Sequence, residues 1–297
     1  LLTLAELTPK EFVGLIDDSI KLKKEFKKNG NKPILKNKTL TMIFQKPSTR
    51  TRVSFEIAMY QLGGHAVNLS SNDMQLSRGE SVEDTAKTLS RYSNCIMARV
   101  YDHKLLETLA EHASIPVING LSDTFHPCQI LADFMTIKEK KKKLKGIKIA
   151  WIGDGNNVCN SMIYGAALSG VNMSIATPKG FEPNKDVVKE AKKTTNIELT
   201  TDPFAAAKNA DVIVADTFAS IHNLDKKRLQ KFLPKYQIND KLMKSAKKDA
   251  IFLHCLPAKR EQEVTSSVID GPQSVVWDEA ENRLHTQKAL LAALIRA

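Results

Sequence analysis

Short β-branched runs alternate with amphipathic helical runs from one end of this chain to the other. The pattern predicts strands at Leu40–Phe44, Ala66–Leu69, Cys95–Val100, Pro116–Asn119, Ile147–Ile152, Asn172–Ala176, Ile197–Thr200, Asp211–Ala215 and Ile251–Leu256. Between them lie helical patterns such as "TRVSFEIAMYQLGG", "SVEDTAKTLSRYS", "HKLLETLAEHA" and "NKDVVKEAKKTT". Alternation of this kind builds parallel sheets covered by helices on both faces. Ligands of such sheets gather beyond the carboxyl ends of the strands, so the loops that follow strands carry the functional information.

A composition break, "KEKKKKLKG" at residues 138 to 146, ends one helical pattern and precedes a fresh strand. It reads as a solvated helix end and turn, and it divides the strands into two groups. With 297 residues, the length suits two domains that each bury a core. The expected class is therefore α/β, with two doubly wound parallel-sheet domains joined by helices. The boundaries fall at 1–137 and 138–280, and 281–297 form an amphipathic C-terminal helix, "ENRLHTQKALLAALIRA", that returns to the first domain.

Net charge is +11, from 44 Lys and Arg against 33 Asp and Glu, which suits an anionic ligand. Aromatic residues make up only 6%, and no lysine-rich stretch is interleaved with them, so a basic RNA-binding protein would rest on charge alone. Cys95, Cys128, Cys159 and Cys255 are far apart, each in an apolar segment, which points to free thiols and a cytoplasmic, reducing compartment. No apolar run approaches the ~20 residues that span a bilayer. The start, "LLTLAELTPKEF", reads as a short strand or turn before a helix opening at Thr8-Pro9, not as a signal peptide.

One post-strand segment is chemically loaded. "FQKPSTRTRVSFE" sets Ser48, Thr49, Arg50, Thr51 and Arg52 where a strand gives way to a helix. The first N–H groups of a helix lack internal partners and carry positive partial charge. Hydroxyls and a guanidinium added there suit a tetrahedral dianion such as phosphate. Four further segments follow strands. "MARVY" puts Arg99 in an apolar strand, where it must be paired or face a cleft. "HPCQ" places His126 and Gln129 three apart on one face of a first helical turn. "WIGDGNNV" and "HCLPAKR" complete the set.

Together these blocks, with "ADTFAS" and "ENR", resemble the carbamoyltransferase family in order and approximate spacing, and the resemblance covers essentially the whole chain. The first and third blocks are shared across the superfamily. "HCLP" resembles the ornithine-using branch, because the aspartate-using branch carries proline where this chain has Cys255. The resemblance implies attack by the δ-amine of ornithine on carbamoyl phosphate. It implies a carbamoyl phosphate-binding role for residues 1–137 and an ornithine-binding role for 138–280. Ser48, Thr49, Arg50, Thr51, Gln75, Arg99, His126 and Gln129 would hold carbamoyl phosphate, with Arg99 and His126 also catalytic. Asn157, Asp216, Ser220, Ile221, Cys255, Leu256 and Arg283 would contact ornithine, with Asp216 and Cys255 catalytic. A cis Leu256-Pro257 bond and a homotrimer, or a multiple of trimers, with Gln75 reaching a neighbouring subunit are implied likewise.

One departure is plain. Where the ornithine branch carries Ser-Met-Gly after "ADTF", this chain has Ser220, Ile221 and His222, and histidine seldom adopts the backbone angles open to glycine. That leaves putrescine or an acylated ornithine as rival amines. No cofactor is expected. Gly153-Asp154-Gly155 lacks the third glycine of a dinucleotide loop, Val158 standing there instead. No metal is expected either, since the seven histidines are scattered and form no H-x-x-x-H. Neither nucleic acid nor membrane is expected as a partner.

Overall fold

The apolar runs become two separate parallel sheets. A computed structural model of the chain describes residues 1–70, 74–218 and 226–296, the side chains at 77, 226 and 296 excepted. Packing divides the chain into two units, Leu1–Met135 with Glu281–Ala297, and Thr136–Ala280.

In the first unit, β1 (Thr39–Phe44), β2 (His65–Ser70), β3 (Cys95–Arg99) and β4 (Val117–Leu121) pair in the order β2-β1-β3-β4, all parallel. The helices are α1 (Pro9–Asn29), α2 (Thr49–Gln61), α3 (Val82–Tyr92), α4 (His103–His112) and α5 (Pro127–Lys141). Thr8 caps α1 with a reciprocal Glu11 contact and Pro9 sits at the first helical position, where its missing N–H costs nothing. Central strand β3 is buried along Cys95–Ala98, whereas edge strand β2 alternates, as an uncovered edge should. Its core joins Ile43, Ile96, Ala98 and Val100 to Leu106 and Leu109 of α4.

In the second unit, β5 (Lys148–Ile152), β6 (Asn172–Ala176), β7 (Ile197–Thr200), β8 (Val212–Ala215) and β9 (Ile251–His254) take the order β7-β6-β5-β8-β9, again all parallel. The connecting helices are α6 (Asn157–Ser169), α7 (Lys185–Ala191), α8 (Pro203–Ala207), α9 (Lys226–Phe232), α10 (Asp240–Met243) and α11 (Ser266–Ile269). Phe232 stacks on Phe218 at 4.7 Å and meets Phe181 edge-on at 4.8 Å, so aromatic packing anchors the residues just after β8.

The final helix, α12 (Val276–Arg296), packs its later turns on the first unit, as its amphipathic pattern predicts. Lys23 Nζ donates to Asn282 at 2.7 Å, and Lys288 donates to Asn31 at 2.7 Å while lying over the Phe26 ring. Burial lowers the Lys288 pKa to about 8.

Both sheets have a place where the strand order reverses. In the first it lies between β1 and β3, and in the second between β5 and β8. The crevice beyond the strand ends opens at such points, and the loaded loops lead into both.

Candidate active site

The first cluster forms after β1, β3 and β4. Ser48 keeps extended angles and its Oγ accepts from Thr51 N at 3.3 Å, which starts α2. No acidic residue stands in the first turn, although the macrodipole would favour one. Arginines stand there instead. Arg52 turns back to Glu56 at 3.0 Å. Arg50 belongs to a convergence of cations seen through their effect on His126. That imidazole is buried, and its pKa is driven well below 6.5, first by burial and then by Arg283, Arg99 and Arg50. The ring is neutral at physiological pH, with one N–H to donate. Lys46 is lowered as well, by burial and by Arg99.

Arg99 ends β3 opposite Phe44 of β1. The pairing with β4 shifts register between Ala98 and Arg99, an irregularity of the kind that re-aims a side chain. At the start of α5, Pro127 holds the first helical position and Gln129 N donates to His126 O at 3.2 Å. Gln129 is held on both sides. Its Nε2 donates to Asp133 Oδ1 at 2.8 Å, and its Oε1 accepts from Arg283 Nη1 at 2.6 Å. Arg283 Nη2 also donates to Thr51 Oγ1 at 3.3 Å. Arg283, expected with the ornithine contacts, thus sits in the first unit among the residues expected at carbamoyl phosphate. Gln75 stands exposed at the start of a 3-10 turn, Gln75–Arg78, and among the described residues no hydrogen bond ties its side chain to the cluster.

The second cluster forms after β5, β8 and β9. Gly153 has φ +133° and an added Cβ there would meet Phe218 Cε1 at 2.7 Å, so that backbone passes close under the ring. Asn156 caps α6, its Oδ1 accepting from Val158 N and Cys159 N, while its Nδ2 donates to Asp216 Oδ2 at 2.7 Å. Asn157 is the first residue of that helix. Asp216 Oδ1 accepts from Thr217 N at 2.7 Å and from Cys255 Sγ at 3.2 Å. Leu256 follows with φ +57°, before a cis Leu256-Pro257 peptide. Ser220, Ile221 and His222 lie outside the described residues.

The cysteines divide by environment. Burial pushes Cys95 up to about 12, Cys128 to about 11 and Cys159 well above its ordinary value, so these thiols are inert packing groups. Cys255 is only half-buried and donates to a carboxylate. Asp216, His254 and Cys255 also bring one ligand atom each within 4.8 Å of one another, a set a divalent cation could use, although His254 Nδ1 already accepts from Leu256 N.

Asn156, Asp154 and Arg228 are not among the residues expected at this cluster. Asn156 was overshadowed by its neighbour Asn157, although the rule for helix caps singles out an Asn one residue before an apolar helix. Asp154 pairs with Arg228, whose Nε also donates to Phe218 O at 2.9 Å. Burial raises the Asp154 pKa to about 6, with Arg228 opposing the rise and Asp216 adding to it. No spacing in the sequence announces that pair.

Two parallel sheets with polar loops at their reversal points, one holding three guanidiniums around a neutral imidazole, define an anion-handling α/β transferase. The chain belongs to the aspartate/ornithine carbamoyltransferase family. Residues 1–139 match the family's carbamoyl-P binding domain and 145–294 its Asp/Orn binding domain. It is 61% identical over 294 residues to an ornithine carbamoyltransferase of Cenarchaeum symbiosum, covering 99% of this chain and 97% of that protein. It is 52% identical to the ornithine carbamoyltransferase of Pyrococcus furiosus labelled anabolic, covering 99% and 96%. The solved structure of an ornithine carbamoyltransferase from that organism superposes with a TM-score of 0.97 at 51% identity, covering 100% of this chain and 97% of that one.

Proposed function

We propose that the chain transfers the carbamoyl group of carbamoyl phosphate to the δ-amine of L-ornithine, giving L-citrulline and phosphate. The observation that carries this is the convergence of Arg50, Arg99 and Arg283 on buried His126 at the mouth of α2. Guanidiniums gathered about one neutral ring raise the local potential and favour an anionic ligand. Residues 1–137 act as the carbamoyl phosphate domain and 138–280 as the ornithine domain, a division supported by the two family matches.

The lone pair of the neutral amine attacks the carbonyl carbon, and the carbon–oxygen bond to phosphate breaks with its electron pair leaving on the phosphate. The proton that the attacking nitrogen loses ends on that phosphate, released as hydrogen phosphate. Ser48, Thr49, Arg50 and Thr51 hold the phosphate, whose charge grows as the bond breaks, so their donors act most strongly in the transition state. Arg99, His126 and Thr51 face the carbonyl oxygen. Gln129 accepts from the carbamoyl NH₂, and Gln75 completes the set from a neighbouring subunit. Arg283, tied to Gln129 and Thr51, is reassigned here to the carbamoyl phosphate set. Asn157, Asp216, Ser220, Ile221, Cys255 and Leu256 hold ornithine, with Asp216 meeting the α-ammonium and the Leu256 carbonyl orienting the δ-amine. The P. furiosus relative labelled anabolic supports a place in arginine biosynthesis.

A colorimetric ureido assay with carbamoyl phosphate and a panel of amines tests the reading. Ornithine should be carbamoylated in preference to putrescine, acylated ornithine and aspartate. Ornithine inert while another of these reacts would overturn the named amine.

The assembly we propose is a homotrimer or a multiple of it. Val53, Ile57 and Tyr60 fall on one face of α2, with Tyr60 77% exposed, and Val67 of edge strand β2 is exposed as well. Apolar residues grouped on a site-bearing helix suit burial by another subunit. Light scattering should return three times the 33.0 kDa of the chain, or a multiple, and a monomer would refute it. A cytoplasmic location fits the four free cysteines and is checked by cell fractionation, where a membrane-pellet signal would count against it. No described helix is long and apolar enough to cross a membrane.

A further inference from the structure

Leu256 holds a left-handed backbone that a residue with a Cβ disfavours. The amide of that residue is tied to His254, two positions back. Leu256 N donates to His254 Nδ1 at 2.9 Å, a bond that a ring nitrogen can accept only if it carries no proton. The proton of the neutral ring is therefore on Nε2. That nitrogen faces Glu263 Oε1 at 3.4 Å, with both side chains fully buried. Glu263 is itself fixed, since its Oε1 accepts from Lys259 N at 2.6 Å. On the other side, the His254 backbone N donates to buried Glu279 Oε2 at 2.9 Å. The turn from 254 to 259 is thus clamped from inside by one imidazole and two carboxylates.

We propose that His254, in the Nε2–H tautomer that the Leu256 N–H bond requires, is a positioning residue for the amine substrate. It holds the Leu256 amide so that the Leu256 carbonyl faces the amine and Cys255 Sγ stays on Asp216. This rests on the ornithine reading above, which gives that carbonyl its partner. His254 is no acid or base in the transfer, because its side chain is wholly buried and one ring nitrogen is already taken by a main-chain amide.

The test compares H254L, which fills the space without an acceptor, with H254N, whose Oδ1 can stand where Nδ1 stands. In H254L the KM for ornithine should rise about tenfold, the loss expected for one main-chain hydrogen bond, while the KM for carbamoyl phosphate stays unchanged. H254N should restore most of the ornithine KM. On the unsubstituted protein, ¹⁵N-histidine NMR, assigned by the signal that H254N removes, should show a neutral ring protonated at Nε2. An Nδ1–H tautomer, equal rises in both KM values, or no rescue by a folded H254N would each overturn the proposal. Should H254L fail to fold, H254N and the tautomer decide. If the unsubstituted protein ignores ornithine but carbamoylates another amine, the ornithine reading falls and the same comparison is made with that amine.

Discussion

Replacing Arg99 with methionine is expected to lower kcat by about 10²–10³, the loss typical of removing one donor from an oxyanion site. The geometry behind this is local. Arg99 ends β3 where the register shifts, and its backbone O accepts from Gln45 N at 2.9 Å, a bond the substitution leaves in place. Methionine retains much of the stem, so the strand end should keep its packing while the charge disappears. The charge is what matters, because the carbonyl oxygen gains negative character only as the amine adds. A second readout separates electrostatics from misfolding. Arg99 lowers the pKa of both His126 and Lys46, so both should rise in the variant. His126 should still titrate below 6.5, because burial is the larger cause and remains. R99K should recover part of the loss, since a point charge returns without the planar fork. Turnover within about tenfold of the parent, with His126 titrating as before, would remove Arg99 from the oxyanion role.

All nine expected strands are present, and Asn172–Ala176 and Ile197–Thr200 match their bounds. The other seven differ at one end or both, two of those ends for clear local reasons. The last strand stops at His254, short of Leu256, because Leu256 leaves extended angles and turns its amide to the histidine ring. The fourth starts at Val117 because Pro116 has no N–H for the ladder. The lysine run is a helix end and turn, α5 closing at Lys141 with Gly146 at φ +80°. Candidate residues were readable where one contiguous block both ends a strand and starts a helix, as in "STRTR" and "HPCQ". The supports were not. Asp133 orients the Gln129 amide, and Glu263 faces His254, only because a helix turn or a folded loop brings them together. Arg283 shows the limit of resemblance by motif. Its block was recognised, but its partners, Gln129 and Thr51, lie 154 and 232 residues away in sequence.

In the second unit the largest effect is expected at Asp216. D216N should reduce kcat/KM for ornithine by about 10²–10³, the loss expected when one partner of a desolvated, hydrogen-bonded charge pair is removed. Three donors now converge on this carboxylate, Asn156 Nδ2, Thr217 N and Cys255 Sγ. An asparagine has one oxygen where the aspartate has two, so it can accept from some of them but must turn its own NH₂ toward another. Donor then meets donor, and the cap residue of α6 or the thiol loses its anchor. The formal charge that would meet the α-ammonium disappears at the same time. C255S is the informative partner. Serine can still donate to Asp216, so it should cost less than D216N, and the double variant should fall short of the product of the two losses if the pair works as a unit. The KM for carbamoyl phosphate should not move in any of the three, because the residues proposed to hold it belong to the first unit. A uniform loss, with both KM values rising together, would mean that Asp216 serves the fold of the β8 end alone.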